Sequence, residues 1–375
     1  MTNRRWLRLL ALLLGLSLVA AACGDDDDTE AATDDTTEDT ATDDTATDDT
    51  GSDDGGAESD FLACQVTDTG GVDDNSFNEN AFNGLEQAAE QVGFEPVVLE
   101  SQSDADFEPN INALLEQGCD LIVTVGFLLG DATEAAAQEN TDTNFAIVDF
   151  AYEQEYDNLR ALTYSTDQAA FLAGYVAAAQ SETGTVGTYG GLNIPTVTIF
   201  MDGFAAGVEY HNQQKGTDVQ VIGWDPAAQD GLFTGDFEDL TKGRQTTESL
   251  LDQGADIILP VAGPVGQGSI EAIRAGGGDA KLIWVDTDGC ESVPDACDLF
   301  LTSVMKNFDV SVEETATGAA NGEFEGGTYI GTLENDGVAI APFNEFDDAV
   351  SDETKAELEE IRQGIIDGSI STSGS

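Results

Sequence analysis

Asp68-Thr-Gly-Gly-Val-Asp-Asp-Asn-Ser-Phe-Asn78 is the stretch from which the fold of this chain is read. A short apolar run, Phe61 to Val66, precedes it and reads as a strand. Ala81 to Val92 follows, with Phe82, Leu85, Ala88, Ala89 and Val92 at helical spacing. The stretch is therefore a glycine-rich turn from strand to helix, with Asp, Asn and Ser at the helix N-cap and Phe77 beside them. Ligands of α/β sheets bind outside the carboxyl ends of the strands, where such turns lie. A capped turn supplies hydrogen-bonding groups, and an aromatic there supplies a stacking face. An ordinary βα connection has the same composition, so the stretch alone leaves both readings open.

The same alternation continues downstream. Glu95 to Glu100, Leu121 to Val125, Phe145 to Val148 and Leu159 to Tyr164 read as strands; Phe107 to Gln117, Asp131 to Gln138 and Gln168 to Gln180 read as helices. Leu121-Ile-Val-Thr-Val125 is apolar almost throughout, as expected of a strand buried on both faces. A second series starts at Gly184, with strands at Thr185 to Tyr189, Val219 to Gly223, Ile257 to Leu259, Lys281 to Val285 and Leu299 to Val304. Pro195 suits the first turn of the helix that carries Phe200, Phe204 and Val208. Helices are expected from Phe237 to Gln253, up to Ala275, and from Val310 to Ala320. The tail offers short strands near Thr328 and Val338 and a last helix, Asp352 to Ile366. Strand–helix alternation at this spacing means parallel sheets with right-handed crossovers. The expected fold is α/β, with two Rossmann-like lobes joined by a hinge.

The start of the chain reads differently. Arg4, Arg5 and Arg8, an apolar run from Leu9 to Val19, and Ala20-Ala21-Ala22-Cys23 make a signal peptide with a lipoprotein-type cysteine. Residues 24–60 hold seventeen acidic residues and no basic ones, the composition of an extended acidic tether. The remainder carries 57 acidic and 9 basic residues, a net charge of −48. That balance excludes nucleic-acid backbone binding, which needs Lys and Arg. The expected location is the extracytoplasmic face of the cell membrane, anchored by lipid at Cys23. Cys290 and Cys297 flank a short loop around Pro294, and Cys64 and Cys119 lie at strands that neighbour each other in a 2-1-3 sheet order. Two bridges are compatible with this, and the sequence leaves the pairing open. No zinc or other cofactor pattern is found.

Asp-x-Gly-Gly-x-x-Asp-x-Ser-Phe-Asn before a helix resembles the opening signature of the basic membrane lipoprotein family, the PnrA-like solute-binding lipoproteins of ABC importers. Further similar segments follow in order: Phe171-Leu-Ala-Gly174, Gly190-Gly191, Phe200-x-x-Gly203-Phe204-x-x-Gly207, Ala262-Gly263, Val285-Asp-x-Asp288, Thr302-Ser-Val-Met-Lys306 and Asp336-Gly-Val-Ala-Ile-Ala-Pro342. The resemblance covers nearly all of residues 61–371. It implies a type I periplasmic binding protein fold, a purine nucleoside ligand held between lobes, no catalysis, and ABC permease and ATPase subunits as partners. The expected division is 61–165 with about 289–306 and part of the tail in the N-terminal lobe, and about 166–288 with about 307–345 in the C-terminal lobe.

A nucleoside base wants aromatic faces, each stack contributing about 1–3 kcal/mol in nucleic-acid sites. Ribose hydroxyls want carboxylate acceptors. The candidate ligand-binding residues are Asp68, Phe77, Asn78, Phe127, Asp149, Phe204, Phe237, Gly263, Asp286 and Lys306. The resemblance implies that Phe77 stacks on the base, that Asn78 and Asp149 read its edge, and that Asp286 holds the ribose with Lys306 nearby. Phe204 reads more readily as lobe core than as ligand wall. Phe237 is a candidate second stacking face in a segment, Trp224 to Gly243, that departs from the family pattern. A sugar or other small-solute receptor of the same fold, and a nucleoside hydrolase, are the rival readings. Gly263-Pro-Val-Gly-Gln-Gly268 lacks the dinucleotide spacing, Asp286-Thr-Asp288-Gly289 lacks the rest of a calcium loop, and His211 has no nucleophile partner.

Overall fold

The computed structural model describes residues 60–373. The leader with Cys23 and the acidic tether up to residue 59 lie outside the described residues.

Five of the six parallel strands of a first sheet come in succession at the start of the described residues. They are β1 (Ala63–Val66), β2 (Val97–Leu99), β3 (Leu121–Val125), β4 (Asn144–Val148) and β5 (Leu159–Tyr164). The helices between them are α1 (Phe77–Val92), α2 (Phe107–Gln117) and α3 (Gly130–Glu139). The chain then passes through α4 (Thr166–Gln180) into a second series. Its strands are β6 (Thr185–Gly190), β7 (Gln220–Ile222), the two-residue β8 (Trp224–Asp225) and β9 (Asp230–Gly231), β10 (Ile257–Val261), β11 (Lys281–Asp286) and β12 (Phe300–Lys306). Helices α5 (Pro195–Lys215), α6 (Leu240–Asp252), α7 (Gln267–Gly276) and the single turn α8 (Gly289–Ser292) connect them. Then come α9 (Phe308–Ala320), β13 (Gly327–Gly331), β14 (Val338–Ile340) and α10 (Asp352–Ile366).

The two large sheets run β13-β5-β4-β3-β1-β2 and β14-β12-β11-β10-β6-β7, and β8 with β9 forms a small hairpin of its own. All five residues of β3, and all five of β10, are buried. Such strands are covered by helices on both sides, which is why they read as continuous apolar runs. Helices α4 and α5 pack with their backbones close together. A Cβ on Gly174 would lie 2.1 Å from the Phe204 carbonyl oxygen, and one on Gly207 would lie 2.0 Å from that of Phe171. Small residues in both helices are therefore a packing requirement. Both cysteine pairs form disulfides: Cys64–Cys119 ties β1 to the entry of β3, and Cys290–Cys297 closes the loop between β11 and β12.

The chain passes between the sheets at three places, after β5, after β12 and after β13. Backbone bonds from Ser165 to Gly331 and from Asn307 to Gly337 tie these crossings together, and Gln168 accepts from the Leu333 amide at 2.8 Å. The lobe division differs from the expected one. β12 pairs with β11 in the second sheet, so 289–306 belongs there and not to the first lobe. Conversely, α9 packs on α1, and β13 pairs with β5, in the first lobe. The reason is that the 289–299 connector is too short to leave the sheet. The crossing waits for the end of β12.

Candidate functional site

The carboxyl ends of the two sheets face each other across a cavity that is partly open to solvent. Of the sequence candidates, Asp68, Phe77, Phe127, Asp149, Phe237, Gly263, Asp286 and Lys306 line it. Phe77 and Asp286, from opposite lobes, share this space.

Its centre is an ion-pair cluster. Lys306, at the end of β12, is 2% exposed; its Nζ lies 2.5 Å from Asp149 Oδ2 and 3.2 Å from Asp286 Oδ1. The Asp149 pair crosses from one sheet to the other. Burial works against a charge on Lys306, but the two carboxylates outweigh it and hold the ammonium above its usual range. Burial raises the Asp149 carboxyl while Lys306 pulls it back. The ammonium also sits over aromatic faces, 4.9 Å from the Phe77 centroid, 5.2 Å from Phe200 and 5.6 Å from Phe308. Asp286 Oδ2 accepts from the Ser76 hydroxyl at 3.2 Å, a second link between lobes, while its buried Oδ1 has no hydrogen bond beyond the ionic contact.

Asp149 and Asp286 reach the cluster because each strand ends in a left-handed residue, with φ of 65° and 69°. Asp tolerates that region better than most side chains, and its occupation at strand ends marks functional geometry. Here the reversal turns both carboxylates inward.

The opening turn is organised from behind. Asp74 accepts from the backbone amides of Ser76, Asn78 and Glu79 and from Asn78 Nδ2, so Asp74 caps α1 and Ser76 does not. Asn78 Nδ2 also donates to Asp68 Oδ1 at 2.7 Å, and the Asp68 amide donates back to Asn78 Oδ1 at 3.2 Å. Asn78 is buried, lies outside the cavity wall, and fixes Asp68 and Asp74. Its expected place at a ligand edge is corrected to a positioning one. Phe204 is corrected too: it is fully buried and does not line the cavity, because it lies where α5 packs on α4, its backbone against Gly174.

Residues the sequence reading passed over also line the cavity: Asp74, Ile194, Thr196, Val197 and Phe200. The last four are the start of α5. The signal was present in Pro195, which marks the first turn, since positions 196, 197 and 200 then share one face. Phe237 arrives on the hairpin segment. Gly190 and Gly191 bond Leu232, Thr234 and Gly235 through the backbone, and Phe237 then rests on Gly191. Asp288 caps α8 through the Cys290 amide, and His211 is buried against Thr217 and Tyr175; neither lines the cavity.

Two α/β lobes with strand ends converging on one cavity define a solute-binding protein of the type I fold. Residues 61–374 match the family described as "ABC transporter substrate-binding protein PnrA-like", and the chain belongs to it. It is thus an ABC transporter substrate-binding protein, which takes a solute on the extracytoplasmic side and works with permease and ATPase components. It is 31% identical to "ABC transporter nucleoside-binding protein BmpA" of Lactococcus lactis subsp. cremoris, over 83% of this chain and 89% of that one. It is 32% identical to "Basic membrane protein A" of Borreliella burgdorferi, over 80% and 84%. A solved solute-binding protein of an ABC transporter system from Aeropyrum pernix superposes with a TM-score of 0.75 at 28% identity, covering 83% of this chain and 92% of that one.

Proposed function

We propose that this protein captures a purine nucleoside in the cleft and delivers it to the permease of an ABC importer. The observation that carries the reading is one cavity that holds aromatic faces from both lobes, Phe77 and Phe127 against Phe237, around a carboxylate–lysine cluster. A flat base fits between such faces, and ribose hydroxyls donate to carboxylates such as Asp286, whose Oδ1 lacks a hydrogen bond. The name of the Lactococcus relative is consistent with this choice of ligand. Closure is driven by contacts that exist only when the lobes meet, such as Asp149–Lys306 and Ser76–Asp286, with the ligand adding more. This chain breaks no bond of its ligand. Cys23 carries the lipid, and residues 24–60 act as the tether to the membrane.

Thermal-shift measurement of the full chain tests the ligand. Inosine, guanosine or adenosine is expected to raise Tm, and ribose and glucose are not. A shift with ribose or glucose and none with any nucleoside would overturn the reading in favour of a sugar receptor.

A further inference from the structure

Four carboxylates, Asp68, Asp74, Asp149 and Asp286, line the cavity against one cation, Lys306. Lys306 is committed to Asp149 and Asp286. Asp68 and Asp74 are left as a pair without a cation, and burying uncompensated charge is expensive. The groups that face them add no positive charge. Asp68 meets the Gly70 amide and Asn78 Nδ2 at Oδ1, and feels the charges of Asp286 and Glu238. Asp74 meets three backbone amides, Asn78 Nδ2 and the charge of Asp68.

Both carboxylates touch the same nitrogen, Asn78 Nδ2, at 2.7 Å from Asp68 and 3.2 Å from Asp74. Their remaining surroundings differ. Asp74 faces four N–H donors at a helix N-terminus, a setting that only an ionised carboxylate satisfies. Asp68 Oδ2 takes no hydrogen bond from the described residues and lies beside Gly126, another residue of the cavity wall.

We propose that the Asp68–Asp74 pair takes up one proton from solvent as the cleft closes, and that Asp68 Oδ2 holds it as an O–H donor aimed at the ligand. This deepens the nucleoside reading and rests on it for the identity of the acceptor, a ring nitrogen or carbonyl oxygen of the base. Burial pushes Asp74 up to about 7 and raises Asp68 as well. Groups sharing a donor titrate as a pair, and the four donors on Asp74 put the charge there and the proton on Asp68. An ionised Asp68 would repel the lone pair of the same acceptor, so the proton becomes a specificity element.

The test uses the full chain and inosine. Calorimetry in two buffers of different ionisation enthalpy is expected to show net proton uptake on inosine binding, and affinity is expected to weaken with rising pH wherever that uptake is seen, by up to tenfold per unit for a whole proton. Asp68→Asn keeps an N–H donor at that place and removes the titration. It is expected to bind with pH-independent affinity and equal heats in both buffers. A wild-type protein that binds inosine with a flat profile and equal heats overturns the proposal.

A ligand-free measurement separates this outcome from failure of the nucleoside reading. A carboxyl raised in the folded state, as burial raises Asp68, binds more protons folded than unfolded, so its contribution to stability is present at low pH and lost as pH climbs from the ordinary carboxylate range through the folded value. Wild-type Tm is expected to fall across that window more steeply than that of Asp68→Asn. If that difference stands while no nucleoside binds, the ligand assignment is what fails. Identical Tm profiles together with equal heats in both buffers on inosine binding overturn the proton assignment.

Discussion

The two sheets repeat one strand order and differ in what their strand ends carry. β4 corresponds to β11, and both end in an aspartate at positive φ, Asp149 and Asp286. β5 corresponds to β12, yet β5 ends in Tyr164, whose hydroxyl pairs with Ser311 at 2.6 Å, while β12 ends in Lys306. β1 leads into the Asp68–Asn78 turn, whereas β6 leads into Gly190-Gly191, on which the hairpin segment rests. The outer strands differ as well: β13 is parallel to β5 and β14 antiparallel to β12. A repeated backbone supplies a matched pair of carboxylates, and a single unmatched lysine joins them. The symmetry positions the groups. Its violation makes the cluster bind across the cleft.

Removing the unmatched element should have the largest effect. Lys306→Met leaves two buried carboxylates facing each other with no cation, and breaking a buried pair in this way costs about 3–5 kcal/mol. Urea unfolding is expected to show a loss of that size, and inosine binding is expected to vanish. A variant as stable as wild type would mean that the cluster is hydrated and the cleft open in solution.

The disulfides sharpen the comparison, because each lobe holds one. Cys64–Cys119 spans 55 residues and Cys290–Cys297 spans 7. On the loop-entropy account, replacing the first pair with alanines destabilises by about 4 kcal/mol and replacing the second by about 2 kcal/mol. Denaturant midpoints of the two double variants check the order. Equal losses would point to local packing in place of chain entropy.

Next in size is the stacking contrast. Phe77 belongs to the first lobe and Phe237 to the second, and both line the cavity. Phe77→Ala is expected to weaken inosine binding by roughly 1–3 kcal/mol with little change in ribose affinity. Phe237→Ala is expected to lose less, because its segment is held by exposed contacts such as Asp202 with Gln229. Titration calorimetry measures both, and an unchanged affinity for Phe77→Ala removes the stacked base.

Much of this architecture was legible from local pattern. α2, β3, β5 and α10 begin and end where their apolar spacing says, and the 2-1-3 order of the first sheet follows from the alternation. Lobe membership after residue 288 was not legible. Periodicity is local, and nothing in it marks whether a strand joins the sheet before it or the one across the hinge. The β8–β9 hairpin is too short to show a period of two. At the site, residue type found the strand-end aspartates and Lys306. It misplaced Asn78 and Phe204, because the side of a helix or turn that meets the cavity is set by packing. Asn78 follows Phe77 directly, so the helix that turns Phe77 to the cavity turns the Asn78 amide back onto Asp68 and Asp74.

The smallest expected effect probes the turn after β6, the counterpart of the Asp68 turn. A Cβ on Gly191 would stand 2.2 Å from Phe237 Cε1, closer than real contacts allow, and the ring is the part free to yield. Gly191→Ala is therefore expected to swing Phe237 out of the cavity while the sheet beneath stays intact. The affinity loss should be about 1 kcal/mol or less, no more than that of Phe237→Ala, with Tm nearly unchanged. Because one ring carries both effects, the double variant should bind as Phe237→Ala alone does, and the coupling measures the shared loss. Additive losses would show that Gly191 acts through something other than the ring, by direct approach of its backbone to the ligand. In that case the two turns would serve the site in the same way, and the asymmetry between the lobes would reduce to the single lysine.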